Sequence, residues 1–175
     1  RVRARAERAG AQGVRLVQHP SAHVRPAKDP ESQLFRSGPG TGIAAFRAFL
    51  EGREAQGSRR SWLFVGEERA RTDYYYRDEL RDWQRKGVLQ RLDTAFSRDQ
   101  DEKIYVQQRM REAGAELWHW LEQGAWVCVC GDAARMAKDV DAALKDIVQR
   151  HGKMSGAAAT LYVSELSKAR RYLRD

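Results

Sequence analysis

The sequence predicts an α/β fold of three layers, with helices covering both faces of a parallel sheet. Short apolar runs alternate with amphipathic helical patterns along most of the chain, which is the signature of successive βαβ units. A second observation is the stretch Ser37-Gly38-Pro39-Gly40-Thr41-Gly42, where glycines stand between an apolar segment and a helix. Glycine lets the backbone take positive φ and approach a ligand closely.

The elements follow in order. Leu34-Phe35 opens the first strand, and a helix runs from Ile43 to about Glu54. Trp62 to Val65 is the second strand, followed by a helix around Tyr75 to Lys86. Arg91 to Phe96 is the third, followed by a helix from about Val106 to Glu122. Ala125 to Val129 is the fourth, and Ala133 to Gln149 is helical. In that helix Met136, Val140, Ala143, Leu144, Ile147 and Val148 recur at helical spacing and form an apolar stripe. A last helix near Ser155 to Arg170 feeds Tyr172-Leu173 into an edge strand. Pro20, Pro26 and Pro30 mark the linker, so residues 1–30 are set apart from a domain over 31–175. Trp118 and Trp120 lie in a helical pattern and Trp126 in an apolar run, which points to core packing.

Composition narrows the partners. A chain of 175 residues with 42% hydrophobic content is large enough for one sizeable core. Its net charge of +8 comes from 32 basic and 24 acidic residues. They are interleaved along helices, which fits a moderate anion-attracting field better than a nucleic-acid surface. Cys128 and Cys130 would share one face of a strand, a poor arrangement for a local disulfide. The four histidines are scattered without metal-ligand spacing, so no metal site is expected. There is no stretch long enough to span a bilayer, and a reducing cytoplasmic setting is expected. The first residue is Arg1, and the sequence reads as a piece of a longer protein.

Three stretches carry chemistry. At Gly38, Gly40, Thr41 and Gly42, unpaired N–H groups and the dipole of the following helix would face a diphosphate, although the same glycines suit a tight turn that packs strand on helix. In Ser97-Arg98-Asp99-Gln100-Asp101-Glu102-Lys103-Ile104-Tyr105-Val106-Gln107, Arg98 can grip a phosphate with two hydrogen bonds, Ser97 can donate a hydroxyl and Lys103 can add a point charge. The ring of Tyr105 can stack on adenine. Those parts select NADP over NAD, whereas a solvated charged loop is the plainer reading of the same residues. Third, Cys130-Gly131-Asp132 follows an apolar strand, at the sheet edge where open α/β folds bind ligands. Cys130 equally suits a small buried apolar position.

The order and spacing of these stretches resemble the NADPH-binding domain of ferredoxin-NADP-reductase-like diflavin reductases, and are most similar to the flavoprotein subunits of NADPH-sulfite reductases. The likeness runs through Gly38 to Ala44, Trp62 to Glu67, Gly87 to Gln100, Lys103 to Gln107, Cys130-Gly131-Asp132, Met136 to Val140 and the ending Arg171 to Asp175. It implies a module that holds NADPH while hydride passes to FAD. Thr41 would contact the dinucleotide beside the glycine loop. Ser97, Arg98, Lys103, Tyr105 and Gln107 would hold the adenosine 2′-phosphate end, with Ile104 and Val106 in the same stretch, and Asp132 and Asp139 would also line the nucleotide. Cys130 and Asp175 are the implied catalytic pair flanking the nicotinamide. Residues 14–30 look similar to the last strand and exit of an FAD-binding barrel, so residues 1–30 are expected to be its remnant. The implied partners are FAD-binding and flavodoxin-like domains of the same protein, carrying FAD and FMN, and a downstream electron-acceptor protein. Neither nucleic acid nor membrane insertion is expected.

The sequence departs from that pattern in places. Arg36 and Ser37 stand where the family runs apolar, so the first strand is expected to be shortened or exposed at its end, and Ala45 replaces a proline after the loop. The sequence ends two positions before the aromatic residue that covers the flavin in the family, and it lacks the flavin-contacting barrel. On its own it is expected neither to hold FAD nor to turn over. A non-catalytic NADP-binding or sensing domain is the alternative function, and a basic RNA-binding domain is a third.

Overall fold

The computed structural model describes residues 34–39, 42–129 and 136–174. The expected remnant of an FAD-binding barrel, over residues 1–30, lies outside them. Among the described residues the chain forms β1 (Leu34–Pro39), α1 (Gly42–Ala55), β2 (Ser61–Glu67), α2 (Ala70–Asp73), α3 (Arg77–Arg85) and β3 (Leu89–Phe96). It continues with α4 (Val106–Glu112), α5 (Gly114–Glu122), β4 (Trp126–Val129), α6 (Met136–His151), α7 (Gly156–Lys168) and β5 (Tyr172–Arg174).

The strands form a sheet in the order β3-β2-β1-β4-β5, and each neighbouring pair is parallel. From β1 the chain builds outward through β2 to β3, then crosses to the other side of β1 to place β4 and β5. The order therefore reverses between β1 and β4, and in open parallel sheets ligands bind beyond the carboxyl ends of the strands at such a point. Tyr172 and Leu173 occupy an edge strand, as the sequence predicted.

Strand side chains alternate between two cores. Trp62, Phe64, Ala95, Val127, Val129 and Tyr172 enter a large apolar cluster with α4, α5, α6 and α7. Leu63, Val65, Leu89 and Cys128 enter a smaller one with α1 and α3. This is the expected three-layer arrangement. The α6 stripe packs as predicted: Val140, Ala143, Leu144, Ile147 and Val148 are buried, with Met136 against their edge. Trp120 is buried, while Trp118 and Trp126 are partly buried against the two cores.

Three local expectations are corrected. The first strand is not shortened at Arg36 and Ser37: it runs to Pro39 and is paired on both sides, with Ser37 opposite Phe64 and Val129. Ladder hydrogen bonds come from the backbone, so two polar residues do not end it. The helix expected around Tyr75 starts only at Arg77. It is preceded by the short α2 and by Tyr76 in the left-handed region at φ 57°. Tyr74 packs on Phe96, with ring centroids 5.3 Å apart, and belongs to the rim of the smaller core. The third helix is split at Ala113, whose backbone leaves helical geometry at φ −91°, ψ 14°. Gly114 follows, where a Cβ would stand 2.6 Å from His151 Nε2, so α5 comes close to the end of α6 there and a larger residue would have to push the His151 ring aside.

Candidate functional site: the carboxyl edge of the sheet

Register brings the exits of three strands side by side. Pro39 at the end of β1 is opposite Gly66 in β2, and Gly66 is opposite Ala95 in β3. The glycine stretch, the segment after β2 and the Ser97-Arg98 turn therefore leave the sheet at one edge, with β1 and β3 two strand spacings apart, about 10 Å. On the other side of β1, β4 is paired up to Val129, which is opposite Ser37, two residues before Pro39.

Gly38 lies within β1, and Gly42 is the first residue of α1. The 14-residue helix carries no acidic residue in its first turn, so nothing there offsets the positive end of its dipole. Gly40 and Thr41 lie outside the described residues, as do Cys130, Asp132 and Asp175.

The turn after β3 is built by hydrogen bonds to the exit of β2. The Ser97 N–H donates to Glu67 O at 2.9 Å, and the Ser97 hydroxyl donates to the same oxygen at 3.4 Å. The Arg98 N–H donates to Glu68 O at 2.8 Å, and the Ala70 N–H donates to Asp99 Oδ2 at 2.9 Å. Gln100 closes the loop from within, its amide donating to Phe96 O and Glu102 O. The Arg98 main chain is thus fixed while its side chain is 55% exposed and paired with Glu68 at 2.9 Å. Lys103 is exposed and makes no ion pair among the described residues.

Downstream the loop enters α4. The Tyr105 N–H donates to Gln108 Oε1 at 2.6 Å and starts the helix, which leaves the Tyr105 ring 45% exposed. Ile104 packs on the rim of the large core and Val106 is buried in it, so both side chains serve the core. Val106 Cγ2 stands 2.7 Å from where a Gly66 side chain would begin, so Gly66 is what lets α4 close on β2. Gln107 donates from its amide to Asp139 Oδ2 on α6 at 3.3 Å, which joins two expected site residues 32 positions apart.

Sequence reasoning singled out Ser97 and Arg98 but missed the partners that hold them, Glu67 and Glu68, and the bond from the Ala70 N–H to Asp99 that closes the same turn. Their signal was present, as acids placed directly after an apolar strand and beside Arg98, but a charged loop gives no pairing rule. Among the described residues no helix is long and apolar enough to cross a membrane.

Residues 38–142 match the family of oxidoreductase NAD-binding domains. The chain is 50% identical, over 91% of its length, to the sulfite reductase [NADPH] flavoprotein alpha-component of Yersinia pestis, and 49% identical, again over 91%, to that of Cronobacter sakazakii. It spans about a quarter of those relatives, 26% and 27% respectively. With a parallel sheet that reverses its order at β1, a glycine stretch running from the end of β1 into a helix, and a family match over those same elements, the chain belongs to the oxidoreductase NAD-binding domain family.

Proposed function

We propose that this chain is the NADPH-binding module of a flavin-dependent oxidoreductase of the sulfite reductase flavoprotein type, and that it presents the dinucleotide to FAD held by a neighbouring domain. The observation that carries the reading is the turn at Ser97-Arg98. An exposed guanidinium on an anchored main chain leaves the sheet two strands from the glycine stretch, and Lys103 lies on the same loop. A nucleotide with its diphosphate at the start of α1 can reach that turn with its adenosine end. The donor set fits a second phosphate there, because arginine supplies a planar fork and serine and lysine add further donors.

Bound NADPH supplies hydride. In this reading Gly38, Gly40, Thr41 and Gly42 hold its diphosphate by backbone N–H groups. Ser97, Arg98 and Lys103 hold the 2′-phosphate, and Tyr105 covers the adenine. Gln107 and Asp139 act as a hydrogen-bonded pair that orients the adenosine side. Asp132 lines the nucleotide, and Cys130 and Asp175 are assigned to the nicotinamide end. The thiol of Cys130 would offer a polarizable surface to a nicotinamide ring, and the Asp175 carboxylate would stabilise positive charge beside it. Residues 1–30 are proposed as the exit from the FAD-binding barrel. FMN in a flavodoxin-like domain, a downstream acceptor protein and a cytoplasmic setting belong to the same proposal.

Calorimetry of the 175-residue chain with NADP, 2′,5′-ADP and NAD tests it. Both phosphorylated ligands are expected to bind at least tenfold more tightly than NAD, because charge-assisted hydrogen bonds contribute on the order of 1.5 to 3 kcal/mol each. Arg98→Ala is expected to remove most of that preference. Equal affinity for NAD and NADP in the unmodified chain overturns the phosphate assignment.

A further inference from the structure

We infer that Glu68 is a built-in competitor for the 2′-phosphate: its carboxylate holds the Arg98 guanidinium in the ligand-free chain, and a phosphate must displace it to bind. The inference rests on the reading of the Ser97-Arg98 turn given above and adds a residue to which that reading gives no role. Glu68 Oε1 lies 2.9 Å from the Arg98 guanidinium, where a phosphate oxygen would sit, and both side chains are more than half exposed, at 58% and 55%. A pair in that setting is weak and exchangeable. The Glu68 main chain is not exchangeable, because its carbonyl accepts the Arg98 N–H at 2.8 Å while the flanking Glu67 carbonyl accepts from Ser97 at 2.9 Å. The carboxylate can swing aside but stays tethered within a side-chain length of the guanidinium. A bound phosphate, carrying close to two negative charges, therefore meets a neighbour of like sign even after displacing it.

The other acids of the loop are placed differently. Asp99 is engaged with the Ala70 N–H at 2.9 Å, while Asp101 is exposed and makes no ion pair with Arg98. Glu68 is thus the acid of this edge seen in contact with Arg98, and its effect is confined to ligands that bring a phosphate to that guanidinium. It lowers affinity for the phosphorylated dinucleotide and speeds its exchange, while NAD passes unaffected.

The test compares the unmodified 175-residue chain with E68Q and D101N, titrated with 2′,5′-ADP and with NAD, after circular dichroism confirms matching folds. E68Q keeps size and removes the charge, and is expected to bind 2′,5′-ADP about three- to tenfold more tightly, with NAD affinity unchanged. D101N removes the same charge from the same loop without touching Arg98 and is expected to shift 2′,5′-ADP affinity less than twofold. Unchanged or weaker 2′,5′-ADP binding by E68Q overturns the proposal, weaker binding showing that Glu68 pre-orients Arg98. Equal gains in both variants also overturn it, in favour of a diffuse field. Each of those results leaves the phosphate pocket standing so long as the unmodified chain prefers 2′,5′-ADP to NAD. Loss of that preference in the unmodified chain overturns the pocket and this proposal together.

Discussion

The two faces of the sheet differ in the breadth of the apolar core that holds them. On one, α4 to α7 close over a continuous apolar cluster that includes Trp62, Phe64, Met110, Leu144 and Tyr172. On the other, α1 and α3 share a smaller cluster around Phe46, Leu63 and Leu80 and are also tied by polar bonds. Lys86 Nζ reaches both Glu54 at 2.8 Å and Asp82 at 2.8 Å, Trp83 Nε1 donates to Glu54 at 2.8 Å, and Arg47 pairs with Glu79. The larger face has polar ties too, since Arg111 pairs with Asp146 at 2.9 Å and Gln107 with Asp139 at 3.3 Å between α4 and α6. Exposed ties of this kind contribute little on either face, so the breadth of the apolar interface is what separates the two.

Core truncation separates the faces most strongly. Leu144→Ala and Leu80→Ala both remove a buried leucine, a change that costs about 2 to 5 kcal/mol depending on how far the site collapses. The Leu144 variant is expected near the upper end, because helices and sheet enclose it on the larger side and cannot close the void. Leu80 lies on a nine-residue helix in the smaller cluster, where fewer buried side chains surround the void. Urea unfolding of both variants measures the difference, and equal losses would break the distinction between the faces.

The next effect sits where the larger face meets the candidate site. Gly66→Ala forces a Cβ to within 2.7 Å of Val106 Cγ2, and Val106 is β-branched with little freedom to rotate. Overpacking of this kind costs about 1 to 3 kcal/mol. Because the start of α4 must shift to relieve it, weaker 2′,5′-ADP binding is expected beside the lower stability, and calorimetry reads both.

A smaller effect contrasts two helix ends. α3 closes with Gly87 at φ +74°, its N–H donating to Gln84 O and that of Val88 to Trp83 O. α7 closes with the same bond pattern but with Arg170 at φ +57°, donating to Ser167 O. A residue with a Cβ is strained there, so Arg170→Gly is expected to stabilise the chain by about 0.5 to 1 kcal/mol, read as a higher urea midpoint.

The smallest effect is the pH dependence of the polar tie. Hydrogen bonds that the Lys86 ammonium donates to Asp82 and Glu54 raise it from its ordinary value to about 12, and the bonds that Lys86 and Trp83 donate to Glu54 hold its carboxyl below the ordinary range. For the lysine, whose value is raised on folding, the stabilisation is complete below its unfolded value of 10.5 and is lost as pH rises toward 12. For the carboxylate, lowered on folding, it is complete above 4.5 and is lost as pH falls. Lys86→Met is therefore expected to lower the thermal midpoint slightly at pH 7 and less at pH 3. An equal drop at both values would show that the lysine acts through its methylene stem.

Part of the candidate site was legible because its chemistry lies in short stretches. Gly38 to Gly42 and Ser97-Arg98 each suggest an anion-binding role by residue type within a few positions. The pairing of Gln107 with Asp139 and of Arg98 with Glu68 was not legible, since the partners lie 32 and 30 positions apart and polar residues on loops carry no periodicity that fixes a register.

By itself the sequence determined the alternation of strands and helices, the apolar stripe of α6 and the edge position of Tyr172-Leu173, because each follows from local hydrophobic period and chain order. Only the tertiary structure decided the strand order that reverses at β1, the break at Ala113 where Gly114 meets His151, the left-handed Tyr76 and the carboxylate that occupies Arg98. Those features depend on which distant surfaces come to lie within a few ångströms of each other, a matter of packing that no local pattern of residues encodes.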